Sequence, residues 1–178
     1  DTQQGRLQSD INIYTFKSDY VHPLKRNAKL EGGVKGAYTQ TDNDAVYTIT
    51  QDDVTQNNYG LSNHFKYDEL ISSAYANYAR SFGRMELQAG LRFESTRLDG
   101  RQLGNAQKPP SQFTRMYNSL FPTVFWSYRL DTSGNHVLNL SYGRRINRPF
   151  YQDLNPFISP LDRYTYYEGN PYLKPTFA

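Results

Sequence analysis

Three arginines fall within five residues, at Arg144, Arg145 and Arg148, in the stretch RRINRPFYQDLNPF that runs from position 144 to 157. Guanidinium groups at that density suit anion recognition, because each presents a planar fork of donors matching a carboxylate or phosphate. The same stretch carries Asp153, so a second reading is open: Arg148 and Asp153 simply hold their own loop together. Five prolines between Arg148 and Pro175 (Pro149, Pro156, Pro160, Pro171, Pro175) rule out a central strand and predict no helix there. The many interspersed Tyr and Phe residues argue for an ordered, rigid loop rather than a disordered tail.

Other candidate constellations carry less. His22, His64 and His136 lie in or beside different turns or loops without the spacing of a ligand set, so no metal site is expected. Asp42-Asn43-Asp44 begins like a calcium loop, but Val46 stands where an oxygen ligand is needed; with Asp52-Asp53 it reads as solvated loop. Gly32-Gly33-Val34-Lys35-Gly36 lacks phosphate-loop spacing and lies inside a strand pattern. Glu94 and Asp99 have no base or nucleophile beside them, and Asn139-Leu140-Ser141 fits a glycosylation pattern only in mid-strand. No catalytic set and no cofactor are expected, so the chain is not read as an enzyme.

The elements that must position these residues are strands. Aromatics make up 15% of the 178 residues, yet the hydrophobic fraction is only 37% and mean hydropathy is −0.80. No run approaches the roughly 20 apolar residues of a spanning helix. A membrane β-barrel remains allowed, because lipid-facing and lumen-facing residues alternate. The net charge of +3 is spread along the chain, so no nucleic-acid partner is expected. The absence of cysteine excludes disulfide frameworks and thiolate metal sites, and is compatible with the periplasm or the cell surface.

Period-two alternation is the dominant pattern. Leu30, Val34 and Tyr38 share a face against Glu31, Gly33 and Lys35; Leu87, Ala89, Leu91 and Phe93 share one against Glu86, Gln88 and Arg92. The spacing predicts an all-β antiparallel meander of about six strands, near 8–21, 28–40, 63–80, 85–97, 117–130 and 136–146, followed by a Pro-rich outer loop over 147–175. Short connections at 22–27, 81–84 and 131–135 alternate with long ones at 41–58, 98–115 and beyond 146, as in outer-membrane barrels.

Aromatics on the apolar faces sort into two levels. Tyr20, Tyr78, Trp126 and Tyr128 lie at the short-turn ends, and Tyr38, Phe93 and Tyr142 at the long-loop ends. Rings with a wet edge belong at headgroup level, so two levels imply two interfaces of an outer-membrane bilayer. The opposite faces carry Glu31, Lys35, Glu86, Arg92 and Glu94, which suit the wet lumen of a wide barrel. Six strands do not close such a barrel, and open edges are not tolerated in lipid, so the chain is expected to continue on both sides. The competing reading is a soluble β-sandwich binding module holding glycans on exposed aromatics.

The last segment carries a resemblance. SYGRRINRPFYQDLNPF followed by EGNPYLKP resembles the signature of the outer membrane β-barrel family among TonB-dependent receptors of Gram-negative bacteria. The matching positions are Tyr142, Arg144 to Ile146, Arg148, Pro149, Leu154 to Phe157, Gly169 to Pro171 and Leu173 to Pro175, with Gly143 where Ser is common. Asp19 to Pro23 and Gly90 to Thr96 are also similar. The resemblance implies a barrel of about 22 strands, with this chain as a segment of it. It also implies an N-terminal plug domain, absent from this chain, and nutrient uptake driven through the TonB complex. On that reading Arg92, Glu94, Arg145, Arg148, Tyr151 and Asp153 face the ligand or the plug. The ligand itself is not legible.

Overall fold

The computed structural model describes residues 2–162 and 164–178. The elements follow in order: β1 (Thr2–Leu24), β2 (Ala28–Gln51), β3 (Val54–Asn57), β4 (Asn63–Phe82), β5 (Met85–Gln102), β6 (Ser111–Arg129), β7 (Val137–Gly143), β8 (Ile146–Asn147), α1 (Tyr151–Leu154), β9 (Ile158–Pro160), β10 (Tyr166–Glu168) and β11 (Thr176–Phe177). Six strands form one sheet in the order β1-β2-β4-β5-β6-β7, with β3 turned back onto β2. Every pairing is antiparallel, and the sheet curls as a sector of a barrel. Among the described residues no second large sheet packs against it, which corrects the β-sandwich alternative.

Register fixes the two faces. Leu30 lies opposite Tyr78, Tyr78 opposite Ala89, Ala89 opposite Val124, and Val124 opposite Tyr142. A one-residue slip would turn every one of these apolar residues to the other side. Glu31, Asn77, Gly90, Thr123 and Gly143 align in the same way on the opposite, inner face. The tight turns meet their backbone demands locally. Asp52 and Asp53 both adopt positive φ, 48° and 64°, between the paired Gln51 and Val54, the geometry of a two-residue hairpin turn.

The strands are longer than the hydropathy alternation shows. β2 runs on to Gln51, β5 to Gln102, and β6 begins at Ser111, so much of the expected loops at 41–58 and 98–115 is sheet. The 24 residues of β2, tilted as barrel strands are, reach roughly 60 Å, more than twice an apolar band of about 25 Å. Past that band the outward face turns polar while the ladder of backbone hydrogen bonds continues, so the alternation signal disappears and the strand does not. Lys66 pairs with Asp42 at 3.0 Å, Arg101 with Asp68 at 3.1 Å and Arg97 with Asp99 at 2.9 Å. His64 Nε2 lies 2.6 Å from Asp42. The Asp42–Asp44 segment is therefore strand, not solvated loop.

β7 stops at Gly143, short of the expected 146, and Pro122 supplies the reason. The Arg144 amide donates to the Pro122 carbonyl at 3.2 Å, but Pro122 has no N–H to return. The Arg144 guanidinium donates instead to the Leu120 carbonyl at 3.1 Å, and the chain turns away to pair β8 with β11.

The Pro-rich segment does not stand out from the sheet. It folds back over the inner face, and it contains one helical turn, α1, which corrects the expectation of no helix. The turn fits because residues 150–155 are free of proline, and the Asp153 carboxylate accepts from the Phe150 amide at 3.2 Å, satisfying a donor the helix start leaves open. Leu154, 1% exposed, packs with Phe65, Tyr67 and Leu98, and Phe113, Tyr117 and Tyr151 close around them.

Candidate functional site

The inner face divides into two halves. Toward the long-loop end it holds the apolar cluster and the folded-back loop. Toward the short-turn end it carries Lys29, Glu31, Lys35, Asn77, Gln88 and Asn139, with Lys29 and Glu31 paired at 2.7 Å. At the junction Glu94, whose side chain is 12% exposed, receives two arginines. Arg92 Nε lies 2.8 Å from one oxygen and the loop's Arg148 bonds to the other. Arg92 also lies over the Phe121 ring at 4.8 Å.

Of the residues singled out by sequence, Arg92, Glu94 and Arg148 are thus brought into one ion network. Tyr151 and Asp153 sit together on α1 a short way along the loop. Asp153 caps the turn and accepts from the Tyr167 hydroxyl, which holds that phenol above its ordinary range. Arg145 is separate: its backbone exchanges hydrogen bonds with Ala178 at 2.7 and 3.1 Å. Tyr20, Tyr38, Tyr78, Phe93, Trp126, Tyr128 and Tyr142 all fall on the outward face by register. Trp126 and Tyr128 stack at 6.0 Å, and Tyr14 joins Tyr38 at 6.4 Å. Leu30, Val34, Leu91, Val124 and Leu140 lie exposed around them, an apolar surface too large to leave in water.

Several residues to which the sequence reading gave no role at the site belong to it. Gly169 is buried where the loop crosses α1: a Cβ there would lie 2.4 Å from the Asn155 carbonyl and 2.7 Å from those of Asp153 and Gln152. Its amide donates to Asn155 at 2.9 Å. Arg115 donates to the Pro171 carbonyl at 3.4 Å and lies over the Tyr172 ring at 4.9 Å. Between α1 and the inner faces of β1 and β2 lies a cleft of about 520 Å³, lined by Asn43, Tyr47, Asn63, Tyr151, Asn155 and Tyr167 among others. Asn43 and Tyr47 sit in a stretch expected to be loop; Asn43 drew notice only as part of the Asp42-Asn43-Asp44 pattern, and nothing pointed to Tyr47. The described residues contain no metal-binding cluster of His, Cys, Asp and Glu.

A family model described as "Outer membrane protein beta-barrel family" matches residues 1–178. Among solved structures, the ferric yersiniabactin uptake receptor FyuA from Yersinia pestis superposes with a TM-score of 0.59 at 13% identity, over 82% of this chain and 22% of that one. The siderophore receptor PiuA from Acinetobacter baumannii gives 0.56 at 10% identity, over 79% and 24%. The copper transporter OprC gives 0.52 at 16% identity, over 82% and 23%. This chain therefore spans less than a quarter of each structure it resembles. No curated protein matches the sequence.

Proposed function

The chain belongs to the outer membrane protein beta-barrel family, and from that premise we propose that it builds a wall sector and part of the mouth of an energised nutrient-uptake receptor of the TonB-dependent kind. One observation carries the reading. The inner face is closed by the protein's own loop at its outer end and left uncovered at its inner end, where Lys35, Asn77 and Gln88 lie beside exposed Phe125 and Val21. That mixed polar and apolar half fits a protein plug packed inside the barrel, whereas the water-filled lumen of a plain porin would be polar throughout. The outward aromatics sit at the two headgroup levels of the outer membrane. Arg92, Glu94 and Arg148 fix the loop to the wall, Tyr151 and Asp153 face the mouth, and Arg145 lies beside the pairing of β8 with β11. The full-length protein tests this without knowledge of its ligand. It is expected in the outer-membrane fraction and to bind the purified periplasmic domain of TonB; failure of that binding overturns the energised reading.

A further inference from the structure

Most of the arginines that made an anionic ligand attractive are engaged elsewhere, and Arg145, exposed beside the pairing of β8 with β11, does not line the cleft between α1 and the β1–β2 wall. Arg92 and Arg148 share Glu94. Arg144 holds the Leu120 carbonyl and lies over the Phe177 ring at 4.2 Å, and Arg115 holds the Pro171 carbonyl. The cleft between α1 and the β1–β2 wall has a different chemistry. Among the described residues lining it there is no lysine or arginine, while Asp44 and Asp153 are both present. The cation Lys108 lies over one lining ring, Phe157, at 4.2 Å.

What the cleft offers is rings and amides. Tyr47, Tyr151, Phe157 and Tyr167 supply aromatic surface, and Asn43, Asn63, Gln152 and Asn155 supply side-chain donors and acceptors. The Tyr47 ring leans over Gly5, where a Cβ would lie 2.7 Å from it, so the missing side chain keeps this ring's place on the inner face open. The volume of about 520 Å³ lies within the usual range for a small-molecule site. An anionic chelate would meet two carboxylates with no lining cation to offset them. A neutral sugar would meet the same carboxylates without charge repulsion. Its C–H faces stack on rings, and its hydroxyls, each both donor and acceptor, match amides and carboxylates.

Resting on the uptake reading above, we propose that this cleft binds a neutral oligosaccharide, making the nutrient a glycan. Asn43 and Tyr47 are the contacts to test, because neither side chain is committed to a hydrogen bond within the protein's described contacts and both stand on the rigid wall.

Purified full-length protein in detergent is titrated calorimetrically with maltoheptaose, cellohexaose, xylohexaose and mannohexaose, and separately with ferric citrate. One or more of the neutral glycans is expected to bind. Asn43→Ala and Tyr47→Ala should each weaken that binding about tenfold or more, equivalent to about 1.4 kcal/mol, while Tyr47→Phe, which keeps the ring, retains it. Heat-modifiable gel migration verifies that each variant barrel is folded. Binding of ferric citrate in place of the glycans, no binding by any of the four, or glycan binding untouched by both alanine variants overturns the proposal. The TonB-domain binding assay separates the two readings. Lost glycan binding with TonB binding intact removes only this inference, and the reverse removes the energised reading while leaving the cleft.

Discussion

Arg148 on the folded-back loop donates to the carboxylate of Glu94 on β5, joining residues 54 apart in sequence. Both side chains are largely out of solvent, at 23% and 12% exposure. A charge in that setting is costly once its partner is removed. The pair therefore acts as the clasp between loop and wall.

Arg148→Ala leaves Glu94 with Arg92 alone and releases the loop. With Arg92 still on Glu94, a loss on the order of 2 kcal/mol, that of one hydrogen bond to a charged group, corresponds to roughly thirtyfold more frequent local opening. Protease added to cells should cleave within 147–175 faster by about that factor, with barrel assembly unchanged. Equal cleavage rates would show that the clasp does not hold the loop.

Gly169→Ala should act on the same loop by sterics alone. The new methyl group would press on three backbone carbonyls of and beside α1, none of which can move without breaking the helical turn. We expect increased protease sensitivity with a folded barrel, and no such change for Gly36→Ala, where a Cβ meets nothing within 4 Å.

The assignment of faces is open to direct measurement. Val34 faces outward and Gln88 inward by register. Val34→Arg should cost about 2–4 kcal/mol against lipid near mid-membrane, while Gln88→Arg in a wet lumen costs little. Denaturant unfolding of the full-length barrel in lipid vesicles measures both. Equal costs would contradict the outward placement of Val34.

The Tyr167–Asp153 bond should respond to alkaline pH. The hydrogen bond to Asp153 favours the neutral phenol and raises the pKa of Tyr167. A raised folded value means that the contribution is fully present below the ordinary tyrosine value of about 10 and is lost as pH rises through the raised one. Protease sensitivity of the loop should therefore climb only above that ordinary range, and Tyr167→Phe should remove the pH dependence. A rise in sensitivity that persists in the variant would place its origin elsewhere.

Much of the wall was legible because its physics is local. Alternation along Leu30–Tyr38 and Leu87–Phe93 named the lipid side, since a strand has only two faces and a bilayer accepts only one kind of residue. The positions of Tyr20, Tyr38, Trp126 and Tyr142 followed for the same reason. Legibility stopped where the outward face left the hydrocarbon. From Gln40 the outward face of β2 turns mostly polar (Gln40, Asp42, Asp44, Thr48, Thr50), so the apolar alternation of the wall is lost although the backbone ladder runs on to Gln51. The central proline at 122 was seen only as one more residue of a strand face. Its missing donor matters only beside β7, which departs there.

The sequence by itself determined the antiparallel wall and which strand residues share its apolar outward face, because periodicity acts over a few residues. Only the tertiary structure decided where the Pro-rich segment goes and what its charges meet. Leu154 finds Phe65, Tyr67 and Leu98, and Arg148 finds Glu94 rather than Asp153. These partners lie dozens of residues away, brought together by the curl of the sheet. Burial of apolar area and the cost of an unpaired charge act on distance in space, which no local pattern along the chain records.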